Sequence, residues 1–135
     1  LIYLDSAAVV KLIRAEQHSA ELTTWLAGHP GSTLVSSVLV EVEVARALRR
    51  SAPQALAAVP AVLTRLTRHE IDPTVRATAA AYDDRDLRSL DAIHLATAQI
   101  LAGESTEHLD AFVSYDKRLL ASAAAAGLPT ASPGT

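Results

Sequence analysis

The chain has 135 residues, half of them hydrophobic but only five aromatic, with no cysteine and a formal net charge of −3. That length favours one domain able to bury roughly two thirds of its unfolded surface, and the lack of cysteine excludes a disulfide framework or a thiolate metal site. No apolar run approaches the ~20 residues that a bilayer span needs and no secretory signal is read at the N-terminus, so a soluble cytoplasmic protein is expected, and the acidic balance counts against a simple nucleic-acid binder.

Leu1 to Leu4 reads as a first strand, followed directly by a helix from Ser6 to Ile13. A second helix, from Glu16 to Ala27, is ended by Gly28-His29-Pro30-Gly31, a strong turn signal. Thr33 to Ser36 is a short strand. Ser37 is suited to cap a helix running to about Arg50, with Glu41 near the first turn, where the helix dipole favours an acid. Pro53 opens a further helix to about Thr67, and Pro60 predicts a kink or break inside it. His69-Glu70-Ile71 is a weak strand candidate. Asp72 and Pro73 start a helix that runs to about Tyr82, since proline suits the first turn.

Asp83-Asp84-Arg85-Asp86 reads as a charged loop. Ser89 then caps a helix from Leu90 to Leu101, ended by Gly103. Ala111 to Ser114 is a buried strand, and Lys117 to Ala126 a final helix stopped by Gly127. The domain is expected over 1–128, with 129–135 a frayed tail. Alanine supplies 27 residues and raises helix propensity throughout. There is no fixed-period repeat and no internal linker. Strands separated by helices predict an α/β fold: a parallel sheet sandwiched by helices in one helix-rich domain.

Within that fold four carboxylates stand out: Asp5, Glu43, Asp91 and Asp116. Asp5 and Asp116 each end an apolar run, Leu1-Ile2-Tyr3-Leu4 and Phe112-Val113-Ser114-Tyr115. In open α/β sheets ligands bind beyond the carboxyl ends of the strands, where both would project. Asp91 is the only acid between Asp86 and Glu104, within LDAIHLATAQILA. An ionised carboxylate in apolar surroundings is costly unless a positive charge meets it. Convergence of the four would favour a hard divalent cation with oxygen ligands, Mg²⁺ or Mn²⁺. Each also has a plainer reading: Asp5, Asp91 and Asp116 as helix caps, and Glu43 as an exposed partner of Arg46 one turn away. Setting the four aside turns the charge from −3 to +1. The basic residues then form helical clusters, Arg46/Arg49/Arg50, Arg65/Arg68, Arg85/Arg88 and Lys117-Arg118, each read first as a solvated face and second as a phosphate contact.

Four segments in this order, IYLDSAAVVKL at 2–12, SSVLVEVEVARAL at 36–48, LDAIHLATA at 90–98 and FVSYDKRL at 112–119, make the chain resemble the PIN-domain ribonucleases, in particular the VapC toxins of VapBC toxin–antitoxin pairs. The resemblance covers nearly the whole chain. It implies that Asp5, Glu43, Asp91 and Asp116 are the metal-binding and catalytic acids. Glu41 is the nearby alternative to Glu43, and Asp110, ahead of its strand, a weaker choice than Asp116. Ser6 stands where the family often has threonine, so its hydroxyl is expected to orient Asp5 or a bound water. Arg46 is the preferred supporting cation, for Glu43 or a phosphate. His94 suggests a ligand or base, but the preferred reading is a helix-flank histidine with a hydrogen-bond partner. Trp25 and Tyr82 read as packing rather than as base-stacking platforms.

The resemblance further implies an Mg²⁺- or Mn²⁺-dependent endoribonuclease acting on tRNA or other translation-related RNA, a homodimer, and a VapB-type antitoxin whose C-terminal segment covers the acids. Rival readings are a PIN nuclease of RNA processing without antitoxin, an inactive PIN-like binding module, and a receiver-like signalling domain. The last needs an adjacent acidic pair after the first strand, which Asp5-Ser6 does not supply.

Overall fold

Alternation along the central strands explains the layering. A computed structural model describes residues 1–135. In β1 (Ile2–Leu4), Ile2 and Leu4 enter one hydrophobic cluster and Tyr3 the other. The two-residue period of a strand sends successive side chains to opposite faces. One face carries α1 (Ser6–Ile13), α2 (Ser19–Ala27), α3 (Val40–Ser51) and α4 (Val59–Thr64), which supply Val9, Leu22, Val44, Leu48 and Leu63 to the core. The other carries α6 (Ser89–Glu104) and α7 (Lys117–Ala125), with Leu95, Ala98 and Leu119 against Tyr3 and Phe112. A further helix, α5 (Pro73–Ala80), packs along α6. The Tyr3 and Phe112 rings are fully buried and stacked, with centroids 5.2 Å apart. Truncating a buried aromatic of this kind costs about 3–5 kcal/mol in lost transfer energy and cavity formation.

With β2 (Leu34–Ser37), β3 (Thr67–His69), β4 (Ala111–Val113) and β5 (Thr130–Ala131), the sheet has the order β3-β2-β1-β4-β5 and is parallel throughout. Tyr3 lies opposite both Val35 and Phe112. The α/β sandwich expected from the alternation of strands and helices is the architecture found. No helix is long and apolar enough to cross a membrane.

Several element bounds differ from the sequence reading. Residues 129–135 do not fray: Thr130 and Ala131 pair with β4, and the Tyr115 hydroxyl donates to the Pro133 carbonyl at 2.9 Å. The cause is the otherwise unpaired outer edge of β4, whose Phe112 N–H is satisfied by the Pro129 carbonyl at 2.7 Å. The strand expected at residues 69–71 lies at Thr67–His69, because Ser36 and Ser37 pair with Arg68 and His69. The second helix starts at Ser19 rather than Glu16, since His18 takes a left-handed φ of 70°. The stretch after Pro53 divides at Pro60 as expected, into a 3₁₀ turn (Pro53–Ala58) and the short α4. Ser89 lies inside α6 rather than capping it, and Gly103 does not stop that helix, which runs to Glu104.

Candidate active site

From β1 the chain steps outward to β2 and β3, then returns to lay β4 and β5 on the other side. The neighbours β1 and β4 therefore mark the switch point where open α/β sheets form a crevice. Asp5 and Asp116 sit at that crevice, because each stands past the end of one of these strands. Both are also helix caps. Asp5 Oδ1 accepts the Ala8 N–H at 2.9 Å, and Asp116 Oδ1 accepts those of Arg118 at 2.8 Å and Leu119 at 3.2 Å. The capping and site readings are thus compatible for Asp116, whose Oδ2 takes no part in the cap. Asp5 is 5% exposed, and burial raises its pKa despite the hydrogen bond from Ala8 and the nearby Ser114 hydroxyl.

Glu43 reaches the same region from α3. Its Oε1 accepts the Ser6 hydroxyl at 2.5 Å and approaches His94 Nε2 at 2.8 Å. Burial pushes its pKa up, but the hydrogen bonds of His94 and Ser6 outweigh this and hold it below the ordinary carboxylate value. Arg46 is exposed and forms no salt bridge with Glu43; the carboxylate is held by Ser6 and His94 instead. Glu41 points elsewhere and pairs with Arg68 at 3.4 Å on the surface. Asp110 accepts the Ser32 hydroxyl at the opposite edge of the sheet.

Asp91, in the first turn of α6, is half-buried. Its pKa is raised by burial and then by the charge of Asp116, with Glu43 adding to the effect. No hydrogen bond is among the influences that stabilise it, and the surrounding His94 and Arg88 offset the rise only in part. Asp91 and Asp116 together line a cleft of about 480 Å³. Arg88, Lys117 and Arg118 line the same cleft, and none of the three is engaged in a salt bridge. Lys117 and Arg118, read first from sequence as a solvated helix face, border the same space as Asp116.

The arrangement suits a divalent cation by its donor chemistry: mutually repelling carboxylates, one of them without a hydrogen-bond donor. The side chains do not close into a cage, however, and no three His, Asp or Glu groups stand within joint reach of one ion. The hydrogen bonds explain this. Ser6 and His94 hold Glu43, while the Ala8 N–H holds Asp5. His94, read from sequence as a helix-flank histidine with a hydrogen-bond partner, has its partners Tyr3, Ser6 and Glu43 on three other elements, which no local pattern could name.

A parallel α/β domain with acids at its switch point matches a known family. A family model described as PIN domain matches residues 2–125, and the chain belongs to that family. It is 52% identical over 134 residues to a protein named Ribonuclease VapC35 of Mycobacterium tuberculosis, across 99% of this chain and 98% of that one. Ribonuclease VapC47 of the same species is 37% identical over 137 residues, covering 99% of this chain and 98% of its own. Ribonuclease VapC46 is 38% identical over 133 residues, covering 98% of this chain and 97% of its own. No solved structure gives a significant match.

Proposed function

We propose that this chain is a divalent-metal-dependent endoribonuclease and the toxin of a type II toxin–antitoxin pair. The observation that carries this reading is the coupling of Asp91 to Asp116 and Glu43 beside three unpaired cations, in a chain 52% identical to a named ribonuclease. Asp5, Asp91 and Asp116 would hold Mg²⁺ or Mn²⁺, with Glu43 joining directly or through water. When bound, such an ion neutralises charge on the phosphoryl oxygens and acidifies the attacking water. The chain's own groups do the rest. Arg88, Lys117 and Arg118 draw the RNA backbone into the cleft and orient it, as cations do for phosphates. Glu43, held ionised by Ser6 and His94, keeps its charge on the acid cluster. A carboxylate of the cluster, Glu43 or Asp116, takes the proton of the attacking water.

A toxin also needs a neutralising partner. Val42 and Leu90 are the large hydrophobic residues left exposed, at 58% and 47%, and each directly precedes an acid of the site. Exposed apolar side chains next in sequence to acids of the site suit a protein segment that carries both hydrophobic and basic groups, as expected of a VapB-type antitoxin. Translation-related RNA, tRNA above all, is the proposed substrate.

Product chemistry tests the reading. Water attack in line leaves a 5′-phosphate and a 3′-hydroxyl, EDTA abolishes cleavage, and a 2′-deoxy substitution beside the cut leaves bond breaking intact. Cleavage that persists in EDTA with 2′,3′-cyclic phosphate ends would overturn it.

A further inference from the structure

His94 is 2% exposed, and both of its ring nitrogens are engaged. Nδ1 lies 2.7 Å from the Tyr3 hydroxyl. Nε2 lies 2.8 Å from Glu43 Oε1 and 3.1 Å from Ser6 Oγ. An ionised carboxylate has no proton to give, so Nε2 carries the hydrogen and donates it to Glu43. In the neutral ring Nδ1 is then an acceptor, and the Tyr3 hydroxyl donates to it. Tyr3 itself cannot drift: it is fully buried on the central strand, stacked on Phe112 and edge-on to the imidazole at 5.8 Å. A rigid strand thus sets the orientation of a helix-borne histidine, which in turn sets a carboxylate on a different helix.

Both donors to Glu43 converge on the same oxygen. The Ser6 hydroxyl and His94 Nε2 each bond Oε1, and Oε2 receives neither. We infer that His94 is a positioning residue, which with Ser6 occupies Oε1 of Glu43 and so leaves Oε2 as the oxygen turned to the metal site. Glutamate has three rotatable side-chain bonds, and without this hold it samples orientations that withdraw the charge from Asp91 and Asp116. Partners of this kind, which orient a ligand without touching the metal, typically alter metal affinity or activity by about 10–100-fold when removed.

This inference rests on the metal-dependent reading of the site, and the experiment separates the two. Mn²⁺ binding to the full chain is measured by titration calorimetry for the wild type, His94→Leu, His94→Gln, Glu43→Gln and the double variant His94→Gln/Glu43→Gln, with RNA cleavage followed alongside. His94→Leu is expected to weaken Mn²⁺ binding by about 10–100-fold and to lower kcat more than it raises KM for RNA. His94→Gln places an amide N–H near the position of Nε2 and is expected to restore part of the affinity. The double variant is expected to bind no more weakly than Glu43→Gln alone, because a residue acting through Glu43 has nothing left to position. A folded His94→Gln with losses that simply add to those of Glu43→Gln would assign His94 a structural role and overturn the inference. So would a folded His94→Leu with wild-type Mn²⁺ affinity. If His94→Leu does not fold, the comparison of His94→Gln with the double variant decides alone. A wild type that binds no Mn²⁺ would instead refute the metal-dependent reading itself.

Discussion

Asp110 and Asp91 are both acids at an edge of the same sheet, yet their surroundings do opposite things. Beyond the amino-terminal ends of the strands, Asp110 accepts the Ser32 hydroxyl, and that bond holds its pKa below the ordinary value. At the carboxyl-terminal edge, burial raises Asp91 and the charge of Asp116 raises it further, with no hydrogen bond to compensate. The first carboxylate is satisfied within the protein; the second carries a charge that its surroundings offset only in part. An acid is therefore informative about function when its neighbours fail to stabilise its charge, and acid count alone is not.

The contrast is broken most sharply by neutralising each acid in turn. Asp91→Asn is expected to reduce the RNA cleavage rate by roughly 100- to 1000-fold, the equivalent of several kcal/mol of metal-derived charge stabilisation, whereas Asp110→Asn leaves it near wild type. Initial rates on a labelled RNA at fixed Mg²⁺ measure both. Equal losses in the two variants would erase the distinction between the edges.

Acid should act on the two edges in opposite order. Asp5 and Asp91 have raised pKa values, so they take up protons above the usual 3.8 as pH falls, while Asp110, lowered, still holds its charge there. Protons compete with the metal for the same oxygens. Mn²⁺ affinity, measured by calorimetry across a pH series, is expected to decline while the fold persists. In metal-free protein the destabilising penalty of the raised groups is full above their folded pKa and gone below 3.8, whereas Glu43 and Asp110 contribute stability that is lost as pH falls through their lowered folded pKa.

The cations of the cleft give a smaller, separable effect. Arg88→Gln and Arg118→Gln are expected to raise KM for RNA several-fold and to leave Mn²⁺ affinity unchanged. Each should also flatten the dependence of log affinity on log salt by roughly 0.7, the value for a phosphate contact on a single strand. An unchanged slope would return both residues to solvated helix faces. The smallest effect concerns stability without metal. At pH 7 in EDTA, Asp91→Asn is expected to melt slightly above wild type, by less than about 1 kcal/mol because solvent screens a half-exposed charge. A lower melting temperature would show that Asp91 stabilises the fold by capping rather than burdening it.

Much of the fold was legible because it follows from local chemistry. The helix from Ser6 to Ile13 begins where an aspartate can cap it and an apolar strand ends, and it is found with those bounds. The start at Asp72 and Pro73 is found likewise, with Asp72 accepting the Val75 N–H at 2.9 Å. The tail was misread because composition says nothing of an unpaired strand edge. Two residues of modest β-propensity become β5 only because β4 exposes hydrogen-bonding groups that need partners. At the site, the positions of Asp5 and Asp116 could be argued from strand ends. Arg46 was favoured for its spacing from Glu43, and that argument failed because the side chain of Glu43 turns inward to Ser6 and His94.

The sequence by itself determined the parallel α/β order, the two aspartates that follow β1 and β4, and the isolated Asp91, because capping, strand periodicity and the cost of a charge among apolar residues act over a few neighbouring residues. Tertiary structure alone decided that Tyr3, Ser6, Glu43 and His94 form one hydrogen-bonded chain, and that Arg88 faces the same cleft as Lys117 and Arg118. Those contacts join side chains as many as 91 residues apart in the chain. Their directions depend on how α3 and α6 pack across the sheet, which no local preference specifies.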